Sequence, residues 1–279
     1  WERVDDVAES HAMHLSDLAR HLRPDLSLLL QDTHISQHRR DDLCRHRILS
    51  ESELPKPGTL VAIDAEFVSL AQEELEVFSD GTRTLIQPSS LALARVSVLR
   101  GEGPREGEPF IDDHIWTTEP IVDYLTQFSG IQPDDLDPKR TQRTLVSHKT
   151  AYKKLRMLTD LGCRFIGHGL AKDFRIINIF VPPSQVIDTV QLYHSPAHPR
   201  NLSLRFLSWF LLKKDIQQGL ALGVEQHDGH DSIEDALAAL QLFRKYEQFE
   251  RDGRLEDMLE DLYEIGPRVN WRPPEKIAS

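Results

Sequence analysis

The sequence has few cysteines and no long hydrophobic run. Its 279 residues include two cysteines, Cys44 and Cys163, in different surroundings, so we expect no disulfide framework. No apolar run approaches the roughly 20 residues that span a bilayer. No signal-peptide pattern follows Trp1, so we expect a cytoplasmic chain with no membrane partner. Because residue 1 is not Met, we also expect the sequence to be a piece of something longer.

Positive charge is also scarce. The 33 Lys and Arg residues face 45 Asp and Glu residues, and the net charge of −12 argues against indiscriminate nucleic-acid binding through bulk electrostatics. One local reversal stands out, because residues 139–156 contain seven Lys or Arg residues and no acid. Within it, Lys149, Lys153 and Arg156 recur at helical spacing on one face. This pattern predicts either a solvated helix face or a surface that meets phosphates.

The first part of the chain is polar, rich in His and Arg, and weakly helical. We predict that residues 1–53 are a linker or the tail of a preceding domain, that 54–266 form the main domain, and that 267–279 are a C-terminal tail. Among the six histidines of this first part, only His34 and His38 have the spacing of a zinc ligand pair, and Cys44 is the sole cysteine nearby. Without a second cysteine pair, a solvated helical linker is the favoured interpretation.

An apolar run at 60–63 leads directly into two acids, Asp64 and Glu66. The run predicts a buried strand, and positions i and i+2 of a strand project to the same face. Two like charges at the rim of an apolar core are unfavourable unless a cation lies between them. The pair therefore indicates half of a metal site. The alternative is a strand that runs out into a solvated loop with two surface acids.

Further strands and helices are predicted along the chain. Strands in quick succession predict an antiparallel meander, and the alternation of strands and helices after residue 145 predicts parallel strands with crossover helices. The expected architecture is α/β with a mixed sheet of five strands. The predicted strands are 60–68, 91–99, 109–115, 163–166 and 185–188. The predicted helices are 119–128, 170–180, 202–212, one beginning near 233, and 255–265.

Three more residues join the acid pair as site candidates. Asp173 falls in the first turn of a predicted helix, where a carboxylate also complements the helix dipole. His230 and Asp235 are five residues apart, so they converge only if His230 precedes the helix that carries Asp235. Four carboxylates, those of Asp64, Glu66, Asp173 and Asp235, suit two divalent cations, Mg²⁺ or Mn²⁺. The near absence of histidine among these ligands argues against a zinc hydrolase, and His230 suits a general base.

The order of these five residues resembles the motifs of the DEDDh class of 3′–5′ exonucleases. The segments VAIDAEFVSL, IGHGLAKDFRIINIFVP, VIDTVQLY, LSLRFLSWFLL and HDSIEDALAAL resemble more closely the nuclease domains of poly(A)-nuclease deadenylases. The resemblance covers about 54–274 and implies a ribonuclease H-like fold, with a ubiquitin-hydrolase-like domain preceding it. One departure from the broader DEDDh class is Lys172, directly before Asp173, where many members of that class carry Asn; it leaves the metal ligand intact.

The resemblance also implies an activity, cofactors and partners. It implies a poly(A)-specific 3′–5′ exoribonuclease that acts on single-stranded poly(A) RNA with two divalent ions and releases 5′-AMP. Asp64, Glu66 and Asp235 would hold one ion, Asp64 with Asp173 the second, and His230 would activate water. It further implies a regulatory subunit, which recruits the enzyme and poly(A)-binding protein on the message.

The residues that follow the acid pair are candidates for substrate contacts. Val68, Ser69 and Leu70, directly after the acid pair, are predicted to touch the terminal nucleotide, and the basic helix face of 149–156 is a weaker candidate for the upstream backbone. Two other functions stay open: an exonuclease of the same class that acts on general RNA or single-stranded DNA, and a catalytically dead RNA-binding module. The complete set of five site residues argues against the dead module.

Overall fold

The computed structural model describes residues 26–36, 44–217 and 229–274 of the chain. A six-stranded sheet forms its centre, and a separate two-stranded ribbon projects from it. The strands are β1 (Leu60–Ala71), β2 (Glu74–Val77), β3 (Arg83–Gln87), β4 (Ser90–Arg100), β5 (Pro109–Trp116), β6 (Leu145–Ser147), β7 (Arg164–Gly167) and β8 (Val186–Asp188). His38 of the predicted zinc pair lies outside the described residues.

The central sheet is mixed, with the order β6–β5–β4–β1–β7–β8. Strands β1, β4 and β5 form the predicted antiparallel meander, and β7 and β8 add to β1 in parallel. The predicted α/β class is therefore confirmed, but the sheet has six strands rather than five. The strand that sequence analysis missed is β6, which pairs in parallel with β5. It is three residues long, too short to show a period, and it lies inside the basic segment.

Helices cover both faces of the sheet. They are α1 (Ser27–Leu30), α2 (Thr126–Ser129), α3 (His148–Asp160), α4 (Leu170–Ile177), α5 (Thr189–Leu192), α6 (Leu204–Leu207), α7 (Ser232–Arg251) and α8 (Leu255–Arg268). A π-helical turn, Ser208–Leu212, follows α6 directly. The single helix predicted at 202–212 is therefore an α-helical turn followed by a π-helical one. Helix α8 continues through Pro267. The predicted domain boundaries stay predictions. In the described part of the chain no helix is both long and apolar enough to cross a bilayer.

The predicted helix 119–128 is wrong. The Val122 and Asp123 N–H groups both donate to the Ser69 carbonyl, and the Ser69 N–H donates to the Asp123 carbonyl at 2.7 Å. These bonds make the segment an extended partner of the end of β1. Leu125 then adopts a left-handed conformation with φ of 51°, and only Thr126–Ser129 is helical. Pairing with β1 has outweighed a local pattern that suits a helix.

The two faces of β1 pack against different helices. Ile63 and Ala65 belong to the core that α3 and α4 cover, whereas Ala62, fully buried, packs with Ile233 and Ala236 of α7. Asp64 and Glu66 share the α7 face with Ala62, because alternate residues of a strand project to the same side. The apolar packing of α7 thus continues into a polar patch in the middle of β1.

Candidate active site

The acid pair lies in the middle of β1, just beyond Ala62, the last residue of β1 that pairs with β7. In the ladder with β4, Asp64 pairs with Ser97 and Glu66 pairs with Arg95, and a bulge follows Glu66. Glu66 is only 7 % exposed, and its Oε1 atom has no hydrogen-bond partner among the described residues. A buried carboxylate oxygen without a partner is energetically costly. It points to a ligand that the chain itself does not supply.

His230 and Asp235 meet at the beginning of α7. Asp231 caps this helix, since its Oδ1 atom accepts a hydrogen bond from the Ile233 N–H at 3.1 Å. His230 therefore lies outside the helix and Asp235 in its first turn, as their spacing requires for convergence. The His230 Nδ1 atom is 3.4 Å from the Asp235 Oδ2 atom. The histidine is partly exposed, whereas Asp235 is only 4 % exposed.

Glu66, His230 and Asp235 form a close group. One potential ligand atom from each residue lies within 4.8 Å of the other two. The Asp235 Oδ1 atom, like the Glu66 Oε1 atom, is buried and without a hydrogen-bond partner in the described part of the chain. Asp64 and Asp173 are not members of this close group, but both act electrostatically on it. The structure thus gathers all five predicted residues, three of them at close range.

Crowding of carboxylates dominates the electrostatics. Burial raises the pKa of Asp64 well above its usual range, and the charges of Asp235, Glu66 and Asp173 raise it further. Burial and then Asp235 raise the pKa of Glu66 to about 9, while Arg95 opposes the shift. A bound cation relieves this kind of repulsion. Carboxylate oxygens are the ligands that hard divalent ions prefer, so the residues present fit a divalent metal.

Asp173 is held at the edge of the group by the beginning of α4. Burial raises its pKa to about 7; Lys172 opposes the shift and Asp188 adds to it. Asp188 also orients the helix, because its carboxylate accepts hydrogen bonds from the Gly169 N–H at 2.8 Å and the Leu170 N–H at 3.0 Å. This role of Asp188 was not among the predictions from the sequence. The available signal is an aspartate at a strand end followed by a helix, a common capping arrangement.

Two other neighbours of the site were missed. The Gln217 side-chain amide donates to the Asp235 Oδ2 atom at 2.8 Å, from a loop position with φ of 60°. Phe128, which sequence analysis assigned to a helix, is 62 % exposed, and its carbonyl accepts a hydrogen bond from the His230 N–H at 3.1 Å. Neither contact leaves a periodic pattern in the sequence, because both join residues distant in the chain.

The predicted substrate residues after the acid pair differ in accessibility. Val68 is fully buried and packs with Ala94, Ile131 and neighbouring core residues, so only its backbone can face a ligand. Ser69 is 5 % exposed, and its backbone pairs with Asp123. Leu70 is partly exposed. Leu70 thus has the most accessible side chain of the three, and the substrate roles of these residues stay predictions.

The basic helix face lies elsewhere. Lys149, Lys153 and Arg156 are exposed on α3, which packs against α1, β5 and β6, whereas the acids lie between β1, α4 and α7. Arg156 is also paired with Asp160, with an Nη2–Oδ1 distance of 2.8 Å. Lys154, in the same run, is buried and bonds Asp113 at 2.8 Å. The structure does not bring these cations to the acid cluster, and their role toward RNA stays a prediction.

Comparison with known proteins points to one family. The family model described as Exonuclease matches residues 61–243, more than half of the chain. The catalytic subunit PAN2 of the PAN2-PAN3 deadenylation complex from Cryptococcus neoformans is 54% identical over 257 residues, 91% of this chain and 21% of that protein. The Schizosaccharomyces pombe subunit is 54% identical over 231 residues, 83% of this chain and 20% of that protein. The chain thus spans about a fifth of these relatives.

Solved structures agree with the sequence relatives. The Neurospora crassa Pan2 catalytic unit, with protease and nuclease domains, matches with a TM-score of 0.71 and 49% identity, over 86% of this chain and 34% of that one. The Saccharomyces cerevisiae Pan2 pseudoubiquitin hydrolase–RNA exonuclease module in complex with A7 RNA matches with a TM-score of 0.75 and 41% identity, over 90% and 37%. The ribonuclease H-like fold class is thereby confirmed, and the chain belongs to the exonuclease family.

Proposed function

We propose that this chain is a poly(A)-specific 3′–5′ exoribonuclease that shortens the poly(A) tails of messenger RNA and releases 5′-AMP. The observation that carries the proposal is the close group of Glu66, His230 and Asp235, with two buried carboxylate oxygens that lack partners among the described residues. Relatives 54% identical to the chain are catalytic subunits of deadenylation complexes. Membership of the exonuclease family implies dependence on a divalent metal. Two ions, Mg²⁺ or Mn²⁺, are part of the proposal.

The acids would hold the metal ions. Asp64, Glu66 and Asp235 would bind one divalent ion, and Asp64 with Asp173 the second. Bound ions supply Lewis-acid charge, which lowers the pKa of water and neutralises negative charge on the phosphodiester and the leaving oxygen. Glu66 Oε1 and Asp235 Oδ1, which are buried and have no hydrogen-bond partner among the described residues, support this role for their two side chains.

His230 would act as the general base. Asp235 Oδ2 lies beside Nδ1 and favours the imidazole tautomer with its proton on that nitrogen. The lone pair of Nε2 is then free to accept a proton from the attacking water. Gln217 donates to the same Oδ2 atom and restrains the Asp235 carboxylate. The two oxygens of Asp235 would thus have different roles: Oδ1 would bind a cation, and Oδ2 would orient the general base.

Phe128 would supply a stacking surface for the substrate. Phe128 is largely exposed, and its carbonyl accepts a hydrogen bond from the His230 N–H, so the segment that holds the proposed base also carries an exposed aromatic side chain. Bases of single-stranded RNA stack on such side chains, and purines offer the larger face. The similar Saccharomyces cerevisiae module has been solved with A7 RNA. We therefore propose single-stranded poly(A) as the substrate of this chain too.

The partners follow from the relatives. Because the similar proteins are catalytic subunits of the PAN2-PAN3 complex, we propose that this chain works with a regulatory subunit of that kind. Through that subunit it would be brought to poly(A)-binding protein on the message. A cytoplasmic location is part of the same proposal.

A cleavage assay with three substrates tests the activity. We expect stepwise release of AMP from a 3′ A-tailed RNA with Mg²⁺, slower cleavage of a mixed-sequence tail, little cleavage of single-stranded DNA, and no release after EDTA. Asp64→Asn should abolish cleavage, whereas Asp80→Asn, in an exposed turn of the β2–β3 ribbon, should not. Equal rates on DNA would support an exonuclease of other specificity. Tight RNA binding without release of AMP would support the dead module.

A further inference from the structure

Arg95 lies beside the acid cluster and is held by two carboxylates from different elements. It sits on β4 opposite Glu66, and its side chain is 10 % exposed. Its Nε atom donates to Asp112 of β5 at 2.7 Å, and its Nη1 atom is 3.1 Å from the Asp231 Oδ1 atom. The guanidinium thus bridges the middle of the sheet and the residue that begins α7. An arginine can make this bridge because its planar fork presents several donors in a rigid geometry.

Asp231 connects this bridge to the proposed catalytic residues. It caps α7, it directly follows His230, and the first turn of the same helix carries Asp235. A shift of Asp231 relative to the sheet therefore moves His230 and Asp235 relative to Glu66. On its outer side Asp231 pairs with Arg45, whose side chain is 45 % exposed. Exposed ion pairs contribute little to positioning, so the buried Arg95 is the principal restraint.

The polar face of the sheet supports the same bridge. Asp112 also accepts a hydrogen bond from the Ser97 hydroxyl at 3.0 Å, and Ser97 contacts the Ser232 hydroxyl at 2.7 Å. These bonds give α7 a second attachment to β4, one residue after Asp231. The beginning of the helix is therefore fastened to the sheet by polar contacts of defined length. Apolar packing alone defines such distances less narrowly.

We propose that Arg95 is a positioning residue, which holds His230 and Asp235 at their working distance from Glu66 by bridging Asp112 and Asp231. Through this bridge Arg95 would set the affinity of the acids for a divalent cation, although Arg95 itself would contact neither cation nor substrate. This rests on the proposed function for the identity of the reaction, but the metal-binding part stands on its own. Neighbours that orient metal ligands typically change affinity or activity by about 10–100-fold.

Arg95→Lys tests the proposal, because lysine keeps the positive charge and loses the two-armed bridge. The first readout requires no RNA: the Mg²⁺ or Mn²⁺ concentration that gives half of the metal-induced rise in melting temperature. We expect this midpoint to increase about tenfold or more. The second readout is cleavage of A-tailed RNA, where we expect kcat to fall and KM to stay unchanged.

Arg100→Lys is the matched control. Arg100 lies on the same strand, is 6 % exposed, and pairs with Glu53 at 2.6 Å, away from the acid cluster. We expect it to lower the melting temperature but to leave the metal midpoint and kcat unchanged. Equal metal midpoints in Arg95→Lys and wild type would overturn the proposal, as would an equal shift in both lysine variants.

A second variant keeps the test decisive if Arg95→Lys does not fold. Asp231→Ser keeps a good helix cap but removes the carboxylate that Arg95 holds. It should weaken metal binding in the same way, which tests the bridge without Arg95→Lys. Where Arg95→Lys does fold, combining the two substitutions should add no further loss. Additive losses would contradict a shared bridge. If the wild type binds metal but releases no nucleotide from RNA, the proposed function fails while the metal midpoints still decide the role of Arg95.

Discussion

Gly229 approaches Gly130 so closely that a β-carbon at position 229 would lie 2.3 Å from the Gly130 backbone nitrogen. The Thr126 carbonyl oxygen would be equally close, and the φ of Gly229 is +120°, which side chains rarely adopt. The next residue is His230, whose N–H bonds the Phe128 carbonyl. The segment 126–130 therefore determines where the proposed general base is held.

Gly229→Ala should consequently remove activity while the fold is retained. The added methyl group must push the loop away, and misplacement by about 1 Å can cost on the order of 100-fold in rate. Single-turnover cleavage of A-tailed RNA measures the loss. The matched control is Gly103→Ala, because Gly103 has φ of +85° but nothing within 4 Å of its added β-carbon. If both variants cleave at the wild-type rate, the contact with Gly130 does not position His230.

The parts of the site visible in the sequence are those with local spacing. Asp64 and Glu66 come directly after an apolar run and are two residues apart, the spacing that places them on one face of a strand. The five-residue interval between His230 and Asp235 required His230 to precede the helix. Arg95, Asp188 and Gln217 were missed because each acts through a contact between distant parts of the chain. The wrong helix at 119–128 has the same origin, since Ser69 supplies its backbone partners. Local spacing in the sequence thus predicts most strands and helices and identifies the acidic site residues. The orientation of those acids depends on contacts between distant residues, which local spacing does not reveal.

Asp64→Asn should stabilise the protein in the absence of metal. Burial and repulsion by Asp235, Glu66 and Asp173 oppose ionisation of its carboxyl group, a cost that the neutral amide of Asn does not carry. We expect the free energy of unfolding in EDTA to rise by about 1 kcal/mol, a typical gain when a strained functional group is removed. With Mg²⁺ the order should reverse, because a ligand stabilises the state that binds it. Urea unfolding with EDTA or Mg²⁺ measures both effects, and Asp80→Asn should change neither. A variant less stable than wild type in EDTA would contradict the repulsion argument.

The free energy of unfolding should decrease as the pH is lowered from about 6.5 to 4, because of His114. This histidine is 4 % exposed, and burial lowers its pKa to about 4, although Asp112 opposes the shift. In this window the unfolded chain binds a proton that the folded chain does not, so stability is full above pH 6.5 and is lost as pH falls toward 4. The shift corresponds to about 3 kcal/mol.

Urea unfolding at several pH values tests this contribution of His114, because the free energy of unfolding should change less steeply with pH in His114→Asn than in the wild type. His148→Asn, at an exposed position of α3, should keep the wild-type slope. An unchanged slope in His114→Asn would assign the acid sensitivity to other groups.

Phe128→Ala should weaken substrate binding more than it slows chemistry. A base that stacks on an aromatic ring gains about 1–3 kcal/mol, so we expect KM for A-tailed RNA to rise roughly tenfold or more. The backbone carbonyl that bonds His230 is retained in the variant, which leaves kcat largely unchanged. Phe128→Tyr preserves the ring and should preserve KM.

Phe180→Ala provides the control for loss of an exposed aromatic side chain. Phe180 is 72 % exposed and follows α4, whereas the segment that bonds His230 is 126–130, so its removal should leave KM unchanged. Steady-state cleavage of A-tailed and mixed-sequence RNA by all three variants separates the possibilities. A loss that is larger on adenine tails indicates that stacking on Phe128 contributes to adenine preference. If KM rises equally for Phe128→Ala and Phe180→Ala, the ring beside His230 has no particular role in binding the terminal base.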